Sequence, residues 1–483
     1  MNVKVKHKSK KKYKYYITRS VLLENKFILA SGILFCILFL LYATIFSPIY
    51  YDYLYLPDDW THLARAKYGS DGIFGKIKLI YFQDTEIINY SWGYQYFLSL
   101  LMKVFGTHNY KISFAIVKLL FSLFHNLCLY WCVTRFYGFS LFSLPLTFGG
   151  MIWGDLGLLS PSPRIFSQTA FILLLFLLKN LNFRKTLYIC ILLLFWTQIH
   201  IFFVLFFPLV VLYWIFSLFK KTENSSLYLY ALPLFFACTL LNPYGPKIYS
   251  VFSLLLSYTV KNQISAQELL SPLQLLDLYS KDMISFFAFY SYILIFKWLF
   301  LGIVLITGIA RRPEWFLSLI SFFAPLKGVR FVDLIFYPFL LLLKKYQKHF
   351  SIGFLSLGLA INLLILTRQW GYIPEHKILE KFNSYLHKCS GVIVIYTPGL
   401  PSAWIEFFWY PNLIPAIDTY STWIDKRFFS LPPSEKRNLL LRVPANCAFT
   451  RKLPKEFRNK KFPYLDDKFE VYEFNGLYLI IMR

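Results

Sequence analysis

Long apolar runs, each closed by a polar or basic turn, recur along this sequence and decide what it can fold into. The first, Phe27–Ile45, has about the length of a helix that crosses a bilayer. In lipid a backbone must satisfy its own polar groups, so such runs become helices. Further runs are read at Ile112–Val133, Phe139–Leu159, Ile165–Leu178, Leu187–Gln198, Ile201–Phe219 and Leu227–Leu241. Four more follow at Ser285–Ile309, Trp315–Pro325, Phe331–Leu343 and Ile352–Leu366. With 57% hydrophobic residues among 483, the expected fold class is a polytopic α-helical membrane protein of about eleven transmembrane helices.

The charges give these runs a direction. Lys and Arg number 51 against 25 Asp and Glu. Many fall in alternate turns: Arg135, then Lys179, Arg184 and Lys185, then Lys220 and Lys221, then Arg311 and Arg312, then Lys344, Lys345 and Lys348. That spacing is a positive-inside bias, so a nucleic-acid partner is not expected. The tail at 1–26, with Lys4, Lys6, Lys8, Lys10, Lys11, Lys12 and Lys14, reads as a cytoplasmic anchor that also touches anionic lipid. The membrane domain is expected over 27–367, with a first outer loop at about 47–110. Within that loop, Ser91–Phe105 reads as an amphipathic helix lying in the interface. A further span there would invert everything after it.

Past Arg368 the apolar runs stop, and 368–483 is expected to be a small α/β or mostly β domain outside the membrane. GVIVIYT and LIPAID read as strands. Asn475-Gly476 between two alternating runs reads as a type I′ hairpin. Cys389 and Cys447 are the two cysteines of this tail, and an outward location leaves a disulfide between them open.

Chemistry is sought where acids, histidines and unusual outer cations occur. Asp58 and Asp59 are adjacent, after Pro57 and before Trp60. Paired carboxylates near a membrane surface raise each other's proton affinity and suit a general base. The same pair also suits an ordinary helix start. Asp155 stands near the outer end of an apolar run, with Arg164 across the turn as its candidate partner. His200 sits in a brief outer turn, and His62 follows the acid pair. Asp155, His62 and His200 are the candidates for donor or metal contact, with magnesium or manganese left open as a cofactor. Lys327 and Arg330 are outer cations, able to grip a phosphate or to snorkel.

Five stretches resemble bacterial members of the GT-C superfamily, the polytopic glycosyltransferases that use polyprenyl-phosphate sugars, especially the group related to protein mannosyltransferases. They are PDDWTHLARAKYG, NYSWGYQYFLSLLMKVFG, NPYG, KGVRFVDLIFYPFL, and a tail with IVIYT, PAIDTYSTW and the closing hairpin. The resemblance implies a bacterial inner-membrane protein with a cytoplasmic N-terminus and a periplasmic C-terminal domain. It implies sugar transfer from a polyprenyl-phosphate donor to an envelope glycan, lipid or protein. Asp58 or Asp59 would be the inverting base, while Arg330, Lys327 and Arg164 would hold the donor phosphate. Two places depart from the group: its acids are usually one residue apart, and Asp418 precedes Thr419 where relatives often show Asp-Gly-Arg. An O-antigen-type polymerase or ligase, a lipid-glycan flippase or transporter, and an inactive scaffold are the alternative expectations.

Overall fold

A computed structural model describes residues 30–34, 57–67, 77–78, 86–87, 91–137, 163–220, 225–251, 375–395, 400–409, 412–415, 445–451 and 453–483. It also describes isolated positions at 37 and 253 and between 298 and 323. Asp155, Lys327 and Arg330 lie outside the described residues.

The chain enters with α1 (Pro57–Lys67), a two-stranded ribbon of β1 (Ile77–Lys78) and β2 (Glu86–Ile87), and α2 (Trp92–Phe105). The long α3 (Tyr110–Tyr137) follows, then α4 (Arg164–Leu178) and α5 (Phe183–Ile199). A 3-10 turn, Ile201–Leu205, leads into α6 (Phe206–Phe219), and α7 (Ser225–Leu240) closes the bundle. The apolar runs at 112–133, 165–178, 187–198, 201–219 and 227–241 therefore become helices within a few residues of where the sequence places them, while the runs expected at 27–45, 139–159, 285–309, 315–325, 331–343 and 352–366 lie wholly or mostly outside the described residues. Among the described residues, Thr107–Cys132 and Ile201–Phe219 are long and apolar enough to cross a membrane. A third candidate is Ser225–Leu240 with Gly245–Val251, bent by 94° at the Asn-Pro-Tyr-Gly turn. The amide of Asn242 donates to the Thr239 carbonyl at 2.7 Å and its Oδ1 accepts from the Tyr244 N–H at 2.9 Å, which ends α7.

Contacts along the bundle fix the helix directions. Phe121 meets Phe166 and Trp131 meets Phe176, so α3 and α4 run parallel. Trp196, near the end of α5, bonds to Ser167, near the start of α4, so these two run antiparallel. His200 also meets Ser167, while Tyr213 reaches the Leu175 carbonyl, so α6 descends beside α4. Tyr228 reaches the Leu178 carbonyl and Gln198 bonds to the Leu241 carbonyl, so α7 returns. One end of the bundle thus gathers the starts of α3, α4 and α6 and the finishes of α5 and α7. Lys179, Arg184, Lys185 and Lys220 all stand toward the other end. The core between α4, α5, α6 and α7 is built from Leu174, Leu193, Trp196, Phe206, Val210 and Phe235, all at most 1% exposed.

At its C-terminal end the chain forms α8 (Glu375–Glu380), α9 (Asn383–Leu386) and β3 (Gly391–Ile395), then α10 (Leu400–Trp409) and β4 (Leu413–Pro415). It continues with β5 (Cys447–Thr450), β6 (Tyr464–Leu465), β7 (Phe469–Phe474) and β8 (Leu477–Met482). These strands make one sheet in the order β4-β3-β5-β8-β7-β6. Strand β3 pairs parallel with β4 and β5, and the rest are antiparallel. The hairpin turns at Asn475 (φ 50°) and Gly476 (φ 73°), both left-handed as a type I′ turn requires. Cys389 and Cys447 form a disulfide, which closes the alternative left open by the sequence.

The C-terminal domain does not stand apart from the first loop. Its core of Phe382, Ile393, Trp404, Phe407, Phe449 and Leu479 is continuous with Trp60, Leu63 and Ala64 of α1 and with Tyr94 and Leu98 of α2. The helices α1 and α10 are packed directly together.

Candidate functional site

The acid pair opens a helix. Pro57 begins α1, and Asp58 and Asp59 occupy its first turn, where the fixed φ of proline and the unpaired N–H groups suit proline and carboxylates. The middle of α1 is sequestered, since Trp60, Thr61, His62, Leu63 and Ala64 are all at most 3% exposed. The Trp60 ring, next in sequence to Asp59, lies 5.8 Å from Tyr110, 5.6 Å from Phe407 and 5.5 Å from Phe408, measured between centroids. At the far end of α1, Lys67 donates to the Phe407 carbonyl at 2.7 Å and lies 4.8 Å from that ring's centre. A cation on the last carbonyls of α10 complements the negative end of that helix. Burial lowers the pKa of Lys67.

His62 faces α2. The Gln95 amide lies 3.1 Å from its Nδ1, and the Tyr94 ring meets it edge-on at 5.0 Å. Burial pushes its pKa down to about 3, so the ring is neutral and packs as part of the seat of α1. Positions 58, 59 and 62 share one face of α1, a turn apart.

Beside this seat α2 crosses the finish of α5. A Cβ on Gly93 would stand 2.8 Å from the Gln198 carbonyl oxygen, so only glycine permits the crossing. Two residues further on, His200 is buried. The Trp196 indole donates to Ser167 Oγ at 2.7 Å, and that hydroxyl lies 2.8 Å from His200 Nδ1. Indole is a donor only, so Ser167 accepts from Trp196 and joins the indole to the His200 ring through one hydroxyl. Deeper in the bundle, His125 Nδ1 meets Thr169 Oγ1 at 2.9 Å. On the same helix Gln168 Oε1 is buried with no hydrogen-bond partner among the described residues. Arg164 begins α4, at this same end.

The structure therefore gathers α1 with its acid pair, His62, His200 and the start of α4 at one end of the bundle. Among the described residues, no group of three His, Cys, Asp or Glu side chains could hold a metal ion. Sequence reasoning missed Gln95, Ser167 and Thr169 as histidine partners, and it missed Phe407 altogether. The i, i+4 spacing of Trp196 and His200 puts both toward one neighbour and is the signal that could have pointed to Ser167.

No family model matches the chain, and no curated protein or solved structure matches it either.

Proposed function

We propose that this chain is a membrane glycosyltransferase of GT-C type, moving a sugar from a polyprenyl-phosphate donor to an envelope glycan, lipid or protein. The observation that carries the reading is the seating of the acidic helix start between the membrane bundle and the C-terminal domain. A base for glycosyl transfer must be held at a fixed height above the surface where a lipid-linked donor presents its anomeric carbon. Asp58 or Asp59 takes the proton of the acceptor hydroxyl, whose oxygen then attacks with inversion. Arg330, Lys327 and Arg164 hold the leaving phosphate, and Asp155 orients the donor or a divalent metal.

The topology in this reading has eleven spans in an inner membrane, with the N-terminus cytoplasmic and residues 368–483 periplasmic. Three findings support it. The packing of α1 on α10 requires an even number of crossings between Lys67 and Glu375, and the reading has ten. The parallel course of α3 and α4 requires an odd number between them, and the reading has one. The disulfide fits an oxidising compartment.

The test is complementation of a strain deleted for this gene by Asp58→Asn and Asp59→Asn, scored by mass profiling of envelope glycans. Loss of a sugar on deletion, unrestored by one variant present at normal level, is the expected result. Wild-type profiles from both variants would sink the transferase reading.

A further inference from the structure

The C-terminal domain contributes more than a lid over the outer loop. Phe407 is 1% exposed and is the contact on which α1 turns. Its ring meets Trp60 at 5.6 Å and Tyr110 at 4.8 Å, while its carbonyl accepts from Lys67. The residue therefore touches both halves of α1 and the first residue of α3. Its own helix is fixed in turn. It joins the parallel strands β3 and β4, buries Trp404 and Ile405, and ends where Trp409 Nε1 donates to Asn383 Oδ1 at 3.3 Å and meets His387 edge-on at 4.8 Å. A shift of α1 along its axis must tear Trp60 from three rings and Lys67 from a carbonyl together.

We propose that Phe407 is a positioning residue for the acid pair, fixing where Asp58 and Asp59 stand relative to the reacting hydroxyl. The proposal rests on the transferase reading above. A residue 340 positions after Lys67 then sets the geometry of the base, and the C-terminal domain becomes part of the catalytic unit. Trp60 follows Asp59 directly on one helix, so a displacement of the backbone that seats the Trp60 ring also displaces the backbone that carries the acid pair. A misplacement of about an ångström is worth up to about 100-fold in rate.

The experiment uses the full-length protein and three variants at two sites, Phe407→Leu, Phe407→Tyr and Lys67→Met. Each is scored for membrane abundance, for envelope-glycan product in the deletion strain, and for amide exchange of residues 57–67 in the purified chain. Phe407→Leu is expected to accumulate, to exchange faster in 57–67, and to lose at least about tenfold in product. Phe407→Tyr, which keeps the ring, is expected to restore both. If the leucine variant fails to accumulate, Lys67→Met gives the same reading, because it leaves the Phe407 and Trp60 rings in place and removes the ammonium that ties α1 to the Phe407 carbonyl and ring. Wild-type product from Phe407→Leu despite faster exchange overturns the proposal, as does wild-type product from Lys67→Met. The Asp58→Asn and Asp59→Asn variants run alongside. If they lose product while Phe407→Leu does not, positioning alone fails. If they retain it, the transferase reading fails, and positioning with it.

Discussion

The α4–α7 bundle and the C-terminal sheet are both built on apolar cores, yet their outer surfaces are opposites. On α5, Phe183 is 80% exposed and Phe195 62%, and Tyr230 on α7 is 79% exposed. The sheet domain instead presents Lys455, Arg458, Lys460 and Lys461 to solvent, and β8 alternates buried with less buried positions. Apolar surface inside and out gives the bundle little reason to associate, because lipid tails are as apolar as leucine. Internal hydrogen bonds must specify its packing, such as the Trp196–Ser167–His200 chain and the bonds of Tyr213 and Tyr228 to the Leu175 and Leu178 carbonyls. The sheet domain is driven together by water, then pinned by a disulfide and an ion cluster.

That contrast can be broken by paired perturbations. Phe449 in the sheet and Phe235 in the bundle are both fully buried. Phe449→Ala is expected to cost about 4 kcal/mol, and Phe235→Ala less, because a helix whose separated state already lies among apolar tails incurs the cavity part of that cost but not the transfer part. Segment-resolved hydrogen exchange of the reconstituted protein reads both, and equal costs would erase the distinction. Opening the disulfide with Cys389→Ser and Cys447→Ser is expected to cost the sheet domain about 4 kcal/mol by loop entropy. It should leave exchange in 163–219 unchanged, and limited proteolysis with and without reductant checks this.

A smaller effect separates the regions by pH. Lys388 holds Glu470 at 2.6 Å and Tyr472 donates to it at 2.8 Å, while Arg483 closes the other oxygen at 2.6 Å. The Lys388 hydrogen bond, then that from Tyr472, bring the Glu470 pKa down to about 2. The folded pKa lies below the unfolded value of about 4.3. The ionised carboxylate therefore stabilises the domain above about pH 4.3, and that contribution drains away as pH falls toward 2. Glu470→Gln is expected to cost about 2 kcal/mol at neutral pH and to flatten this acid limb of the domain's melting curve. Smallest is Gly476→Ala, which forces an alanine to φ 73° and should cost about 1 kcal/mol in the same melt.

Much of the helical plan was readable in the sequence. Apolar runs at 112–133, 165–178, 187–198, 201–219 and 227–241 each became a helix, because length and composition alone select that state. The hairpin was equally legible, since Asn-Gly is a local instruction. What escaped was pairing. Nothing in PDDWTHLA names Phe407 as its partner, and nothing around His200 names Ser167 on another helix. Such contacts are fixed by tertiary register, which local periodicity does not carry. The acid pair was legible as two carboxylates at a helix start, but its seat was not.

The tie between Lys67 and Phe407 also has a consequence for synthesis. The two residues are 340 positions apart. At about 5–20 residues per second, a ribosome spends roughly 20 to 70 s between them. During that interval Trp60, Leu63 and Ala64 have α2 and Tyr110 to pack on, but their C-terminal cover has not been made. The helix carrying the acids is thus among the earliest segments to leave the ribosome and among the last to be fully seated, and a nascent chain arrested before residue 400 carries it half covered.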